Sequence, residues 1–303
     1  MKMDAVEKVA NTVLYEGYML YPYRASAIKN QQRFNFGVLY PREHCELQEG
    51  ADAFEMRTEC LALANAEPSL EAPLTVEVKV RFLQLIAREN RQEGIEREVC
   101  TPACDLAAIT ARPLRQSFAF APLTGELELS AAQAGEALSK ITLTIRNCAA
   151  TGNANAPGRD RTLLHSLVSV HSILHVSGGA FLSSIDPPES FRDAAAQCRN
   201  LGTFPVLAGE EGQQDIVLSS PIILYDYPQI APESPGDLFD GTEIDEILAL
   251  RILTMTDQEK LEVRNGDERA RLILERTEMM PPEHFQKLHG ALRGFRTTAE
   301  DAP

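Results

Sequence analysis

The sequence predicts an α+β, β-rich protein in which a sandwich-like antiparallel β body carries a small C-terminal helical module. Three observations lead there. Several segments alternate apolar and polar residues with a period of two. Helical periodicity is sparse over the first 236 residues. After the proline-rich stretch YDYPQIAPESPGD the pattern changes to helical spacing. We therefore divide the chain into a β-rich body over 1–236 and a helical module over 237–303.

Taken in chain order, LYEGYMLYPYR (14–24) reads first as a strand. Gly17 and Pro22 oppose a helix, and Tyr15, Met19, Tyr21 and Tyr23 share one strand face. The polar loop 24–33 and a second strand, FNFGVLY, complete a long-looped hairpin. LTVEVKVRFLQL places Val76, Val78, Val80 and Phe82 on one face, and SKITLTIRNC does the same with Ile141, Leu143 and Ile145. In LHSLVSVHSILHVSGGAFLSSIDPPE, Val168, Val170, Leu174 and Val176 form a strand face. A turn at Ser177-Gly178-Gly179 returns the chain through Phe181 as a β-hairpin. Helices are expected over 131–138 and 188–200. In the C-terminal module, Thr242 with Asp245 and Thr256 with Glu259 have capping-box spacing, and PPEHFQKLHGALRG starts on prolines and ends on glycine.

Composition restricts function. The 303 residues are 44% apolar, enough for a substantial core. With 44 acidic against 29 Lys and Arg residues, the net charge is -15, which repels nucleic-acid backbones and anionic membranes overall. The N-terminal MKMDAVEKVANTV lacks the apolar run of a signal peptide, and no stretch approaches the roughly 20 apolar residues of a membrane span. Cytoplasmic location is the expectation. Six cysteines are too sparse for a disulfide scaffold, so they read as mostly reduced thiols.

Sequence motifs of common catalysts are absent: there is no GxSxG, P-loop, GxGxxG or kinase signature. His165, His171 and His175 invite a metal reading. On a strand, however, four residues separate His171 from His175 by about 13 Å, too far for one ion. Cys100 and Cys104 lack the spacing of zinc or redox motifs; two incidental thiols are the default, with a labile disulfide or intersubunit metal site as alternatives. Asp237, Asp240, Glu243, Asp245 and Glu246 lie within ten residues. They suit a hard cation, a helix N-terminus or a docking surface. The loop PYRASAIKNQQR gathers Arg24, Lys29 and Arg33 without an acid. Beside Tyr21 and Tyr23 it has the Tyr-plus-Arg composition of interface hot spots.

Three stretches, VLYEGYMLYPYRASAIKNQQRFNFGVLYP, VLSSPIILYDYPQIAPESPGDLFDGTEIDEILALRILTMTDQEK and LHGALRG, resemble an uncharacterised family of bacterial cytoplasmic proteins. That family is encoded within gene clusters for NiFe hydrogenases, especially the high-affinity actinobacterial type. VHSILHVSGGAFLSSIDPPE fits the same family. The resemblance implies an accessory or assembly factor acting by protein binding, with hydrogenase subunits or maturation proteins as partners; it carries over no reaction, cofactor or catalytic residue. Within or beside the matching strings, Tyr21, Tyr23, Arg24, Lys29, Arg33, Asp237, Asp240, Glu243 and Asp245 are the expected partner-binding residues. Two alternatives stand beside this. One is a metal-dependent or carboxylate-based enzyme with its site between the β body and the acidic helix start at 237–246. The other is a structural subunit of a larger complex.

Overall fold

The computed structural model describes residues 2–14, 36–47, 52–65, 73–88, 91–150, 158–229, 252–264 and 268–281. Two antiparallel sheets face each other. In the first, the order is β5 (Leu114–Phe120), β6 (Leu123–Gly135), β7 (Leu138–Asn147), β1 (Glu55–Ala64) and β9 (Gly179–Phe181). In the second it is β10 (Phe204–Leu207), β11 (Ile216–Ser220), β8 (Val168–Ser177), β2 (Thr75–Arg88) and β3 (Arg91–Cys100). The short β4 (Cys104–Asp105) also pairs with β2.

Alternation along the strands builds the core. Met56 and Cys60 of β1, Val76 to Phe82 in steps of two on β2, and Ile141, Leu143 and Ile145 of β7 all enter one buried cluster between the sheets. The two predicted strand faces on β2 and β7 are thus the inner faces of the sandwich. Phe82 is completely buried, with Phe118 at 5.7 Å and Phe120 at 5.9 Å between ring centroids. The outer face of the first sheet is polar: Arg146 of β7 meets Glu55 at 3.1 Å and Glu126 and Glu128 at 3.3 Å each.

A helix that the sequence reading missed makes a third layer. In α1 (Lys2–Leu14), Val6, Val9, Ala10 and Val13 recur at helical spacing and pack on Ile173, Val206, Ile216 and Leu218 of the second sheet. Lys79 of β2 reaches Glu7 at 2.8 Å. Leu14, expected to begin a strand, is instead the last helical residue and is buried. The rest of that expected strand, 15–23, lies outside the described residues. The expected FNFGVLY strand reduces, over its described part, to single bridges from Leu39 to Ala53 and Leu167. Gly37, at φ +55° and packed against Pro221, breaks the extended run.

Three further expectations change. The helix expected over 131–138 is the end of β6, a turn and the start of β7; Ala131 pairs with Ile141, and the paired ladder with buried Leu138 outweighs alanine's helix propensity. The helix expected over 188–200 shrinks to a 3₁₀ turn at Glu189–Phe191 and α5 (Arg192–Ala195). Beyond it, the Arg199 amide donates to the Glu59 carboxylate at 2.7 Å and the Glu59 amide to Asn200 Oδ1 at 2.7 Å, drawing the chain out along β1. The expected hairpin at Ser177-Gly178-Gly179 is a change of sheet: β8 pairs with β2 and β11, whereas β9 pairs with β1. A Cβ on Gly179 would lie 2.5 Å from the Leu63 carbonyl oxygen, so only glycine permits the crossing.

Short helices α2 (Arg42–Leu47), α3 (Leu106–Ala111) and α4 (Arg159–Leu163) fill connections in the body. In the C-terminal region the helices Asp257–Arg264 and Glu268–Glu278 are described. The Thr256/Glu259 box forms in both directions: the Thr256 amide donates to Glu259 Oε2 at 2.9 Å and the Glu259 amide to Thr256 Oγ1 at 3.3 Å. The Thr242/Asp245 box and nearly all of PPEHFQKLHGALRG lie outside the described residues. Among those described, no helix is long and apolar enough to cross a membrane.

Candidate functional site

All nine expected partner-binding residues, Tyr21, Tyr23, Arg24, Lys29, Arg33, Asp237, Asp240, Glu243 and Asp245, lie outside the described residues. The described chain resumes at Phe36, three residues after Arg33, and there it enters the wall of an open cleft of about 440 Å³. Four pieces of chain converge on this cleft: 36–40, the approach to β1, the start of α4, and 202–204 with Pro221.

The convergence has a clear cause. The Leu39 amide donates to the Leu167 carbonyl at 2.8 Å and the Leu39 carbonyl accepts from the Leu167 amide at 3.0 Å, while the Tyr40 amide donates to the Ala53 carbonyl at 2.8 Å. Asn147 Nδ2 then donates to the carbonyls of Leu39 at 2.8 Å and His165 at 2.9 Å. These bonds fix Tyr40 in the cleft wall.

Around Tyr40 the polar groups are mutually engaged. Its ring lies 5.0 Å from the His44 ring, and His44 Nε2 is 3.2 Å from Asp52 Oδ2. Burial pushes the Tyr40 hydroxyl up from its usual range, against the opposing effect of Arg159, which hydrogen-bonds it. Burial, followed by the Asp52 charge, also pushes the Cys45 thiol up. Cys45 therefore stays protonated beside the His44–Asp52 pair, which denies the cluster an activated thiolate. At the mouth stand Phe36 and Phe204, 39% and 44% exposed. Two open aromatic rings beside a tyrosine and an arginine are suited to holding an apolar side chain while a polar neighbour is hydrogen-bonded.

No protein-family model matches this chain, and no curated protein is significantly similar to it.

The other sequence candidates separate. His175, at the surface, has Nδ1 2.9 Å from Glu77 and Nε2 3.9 Å from Asp215, whereas His171 is fully buried. Among the described residues no three His, Cys, Asp or Glu side chains are placed to hold a metal ion. Cys100 is opposite Lys79 and Cys104 opposite Val76 on β2. The step of three residues from Val76 to Lys79 separates the two cysteines by about 10 Å, beyond disulfide reach without backbone movement. A smaller cavity of about 180 Å³, lined by Glu59, Cys60, Cys198 and Asn200, occupies the gap in the outer ladder of β1. Tyr40, His44, Asp52 and Arg159 form no motif; their nearness depends on the long-range bridge between Leu39 and Leu167, which has no signature in one sequence.

Proposed function

We propose that the protein is a cytoplasmic accessory or assembly factor for a NiFe hydrogenase that works by binding another protein. Its sequence resemblance suggests the setting. The single observation that carries the binding mode is the cleft mouth, where half-exposed Phe36 and Phe204 stand beside Tyr40 and Arg159, with Phe36 three residues along the sequence from the Tyr/Arg-rich stretch 21–33. Such aromatic and arginine anchors dominate protein interfaces energetically.

The test is co-purification of the tagged chain with hydrogenase subunits or maturation proteins, repeated with Phe204→Glu. Recovery of a hydrogenase component that falls at least severalfold in the variant supports the proposal. A deletion strain with unchanged hydrogenase processing and activity overturns it. Metal analysis separates it from a metal-dependent enzyme: stoichiometric metal lost on Asp237→Ala or Asp240→Ala would favour the enzyme instead.

A further inference from the structure

Helix α1 is joined to the second sheet by a short polar chain at its C-terminal end. Ser169 Oγ donates to the Val13 carbonyl at 3.0 Å, taking up one of the acceptors a helix terminus leaves unpaired. Ser169 sits in an irregular step of β8, at φ +54°, where the β2 register shifts between Arg81 and Leu83. The Ser169 carbonyl lies 3.0 Å from His171 Nδ1, so this nitrogen carries the proton and donates. The other ring nitrogen, Nε2, is buried without a partner, and the residue is 0% exposed.

Among the described residues, the charged groups around His171 supply no acceptor for a second proton. From β2, Arg81 is the cross-strand partner of His171. Its guanidinium is held by Glu96 of β3 at 3.2 Å, with Glu98 at 3.9 Å. From α1 the contributing charge is Glu7, bound to Lys79 at 2.8 Å. The neighbouring β11 has no titratable side chain over Ile216–Ser220.

We propose that the Val13–Ser169–His171 chain is an acid-sensitive latch: protonating His171 releases α1 from the sheet while the two-sheet sandwich stays folded. A proton on Nε2 puts an unpaired cation beside Arg81 in an apolar layer, and burial opposes it strongly. The least costly escape is local, because among the described residues α1 is held by its apolar stripe, by Leu14 in a second small cluster, by the Glu7–Lys79 ion pair and by this chain, all outside the inter-sheet core. Release uncovers Ile173, Val206, Ile216 and Leu218 as a contiguous apolar face.

Hydrogen–deuterium exchange of the full chain, corrected for intrinsic rates and compared between pH 7 and about pH 4.5, tests this. In the wild type, α1 amides lose protection by about tenfold or more while β2 and β8 amides keep theirs. His171→Asn keeps a donor for the Ser169 carbonyl but cannot charge, and its α1 stays protected. Glu7→Gln removes only the ion pair and retains the acid transition. Equal loss of α1 protection in His171→Asn overturns the latch, as does loss of β2 and β8 protection together with α1. Should His171→Asn fail to fold, nitrogen NMR of the wild-type imidazole decides. A ring that charges over the same pH range as release supports the latch, and one that stays neutral through release overturns it.

Discussion

Asn147 is 2% exposed and serves three backbone groups: its amide donates to Leu39 and His165, and its oxygen accepts from the Ala149 amide at 2.9 Å. Replacing it with leucine keeps the branched shape but strands the His165 carbonyl and the Ala149 amide, while the Leu39 carbonyl keeps the Leu167 amide. Asn147→Leu should lose about 2 kcal/mol in urea unfolding, since each buried unpaired group costs on the order of 1 kcal/mol or more. His171 sets a pH dependence. Burial, with Arg81 adding to it, lowers its pKa from 6.5 to about 4 in the folded state, against a smaller opposing effect of the Ser169 carbonyl. The unfolded chain therefore binds this proton first. Above about pH 6.5 the group costs nothing; stability falls as pH drops towards 4 and the penalty levels off below, at about 3 kcal/mol. Urea unfolding of wild type and His171→Asn across that range measures the difference. Among the thiols, Cys60 is 3% exposed whereas Cys100 and Cys148 are open, though burial and nearby carboxylates raise both. Native alkylation followed by mass spectrometry should modify Cys100 and Cys148, faster at higher pH, and leave Cys60 untouched until unfolding.

At the scale of elements, the sheet change at Gly179 and the Thr256 box each rest on one residue. Gly179→Val drives a side chain into the Leu63 carbonyl and Leu74, and should cost about 3 kcal/mol in thermal or urea unfolding. Thr256→Ala should cost about 1 kcal/mol, read as faster amide exchange in Asp257–Arg264. Such elements differ in how plainly a sequence displays them. β2 and β7 were legible because one face of each meets the opposite sheet, and period-two alternation survives intact. The Thr256/Glu259 box was legible because capping is local. α1 was overlooked because its Val6, Val9, Ala10, Val13 stripe sits among charges and adjoins a tyrosine-rich stretch with strand-like alternation. β8 to β9 looked like a hairpin because a Gly-Gly turn is local, whereas the choice of partner strand is made by β1, more than a hundred residues earlier. The cleft was illegible for the same reason: Tyr40 and Arg159 meet only after Leu39 has found Leu167.

At the scale of the molecule, every member of the inter-sheet cluster lies between Leu39 and Val217, and α1 supplies the apolar cover on the second sheet. We propose that the body over 1–236 folds independently of the module over 237–303. The fragment 1–236 should then unfold in one cooperative transition, with β2 and β8 amides as protected as in the full chain. Loss of that protection in the fragment would show that the module is required.

The interior place of β1 in the first sheet, between β7 and β9, sets a schedule for synthesis. Its residues 55–64 pair with β7, which ends at Asn147, and with β9, which ends at Phe181. At ribosomal rates of 5–20 residues per second, the 117 residues from Ala64 to Phe181 take on the order of ten seconds to emerge. For that interval EMRTECLALA waits with at least one ladder edge open, and before β7 arrives it has two. A nascent chain stalled between Ala64 and Asn147, with both edges of β1 open, should be the species most dependent on chaperones.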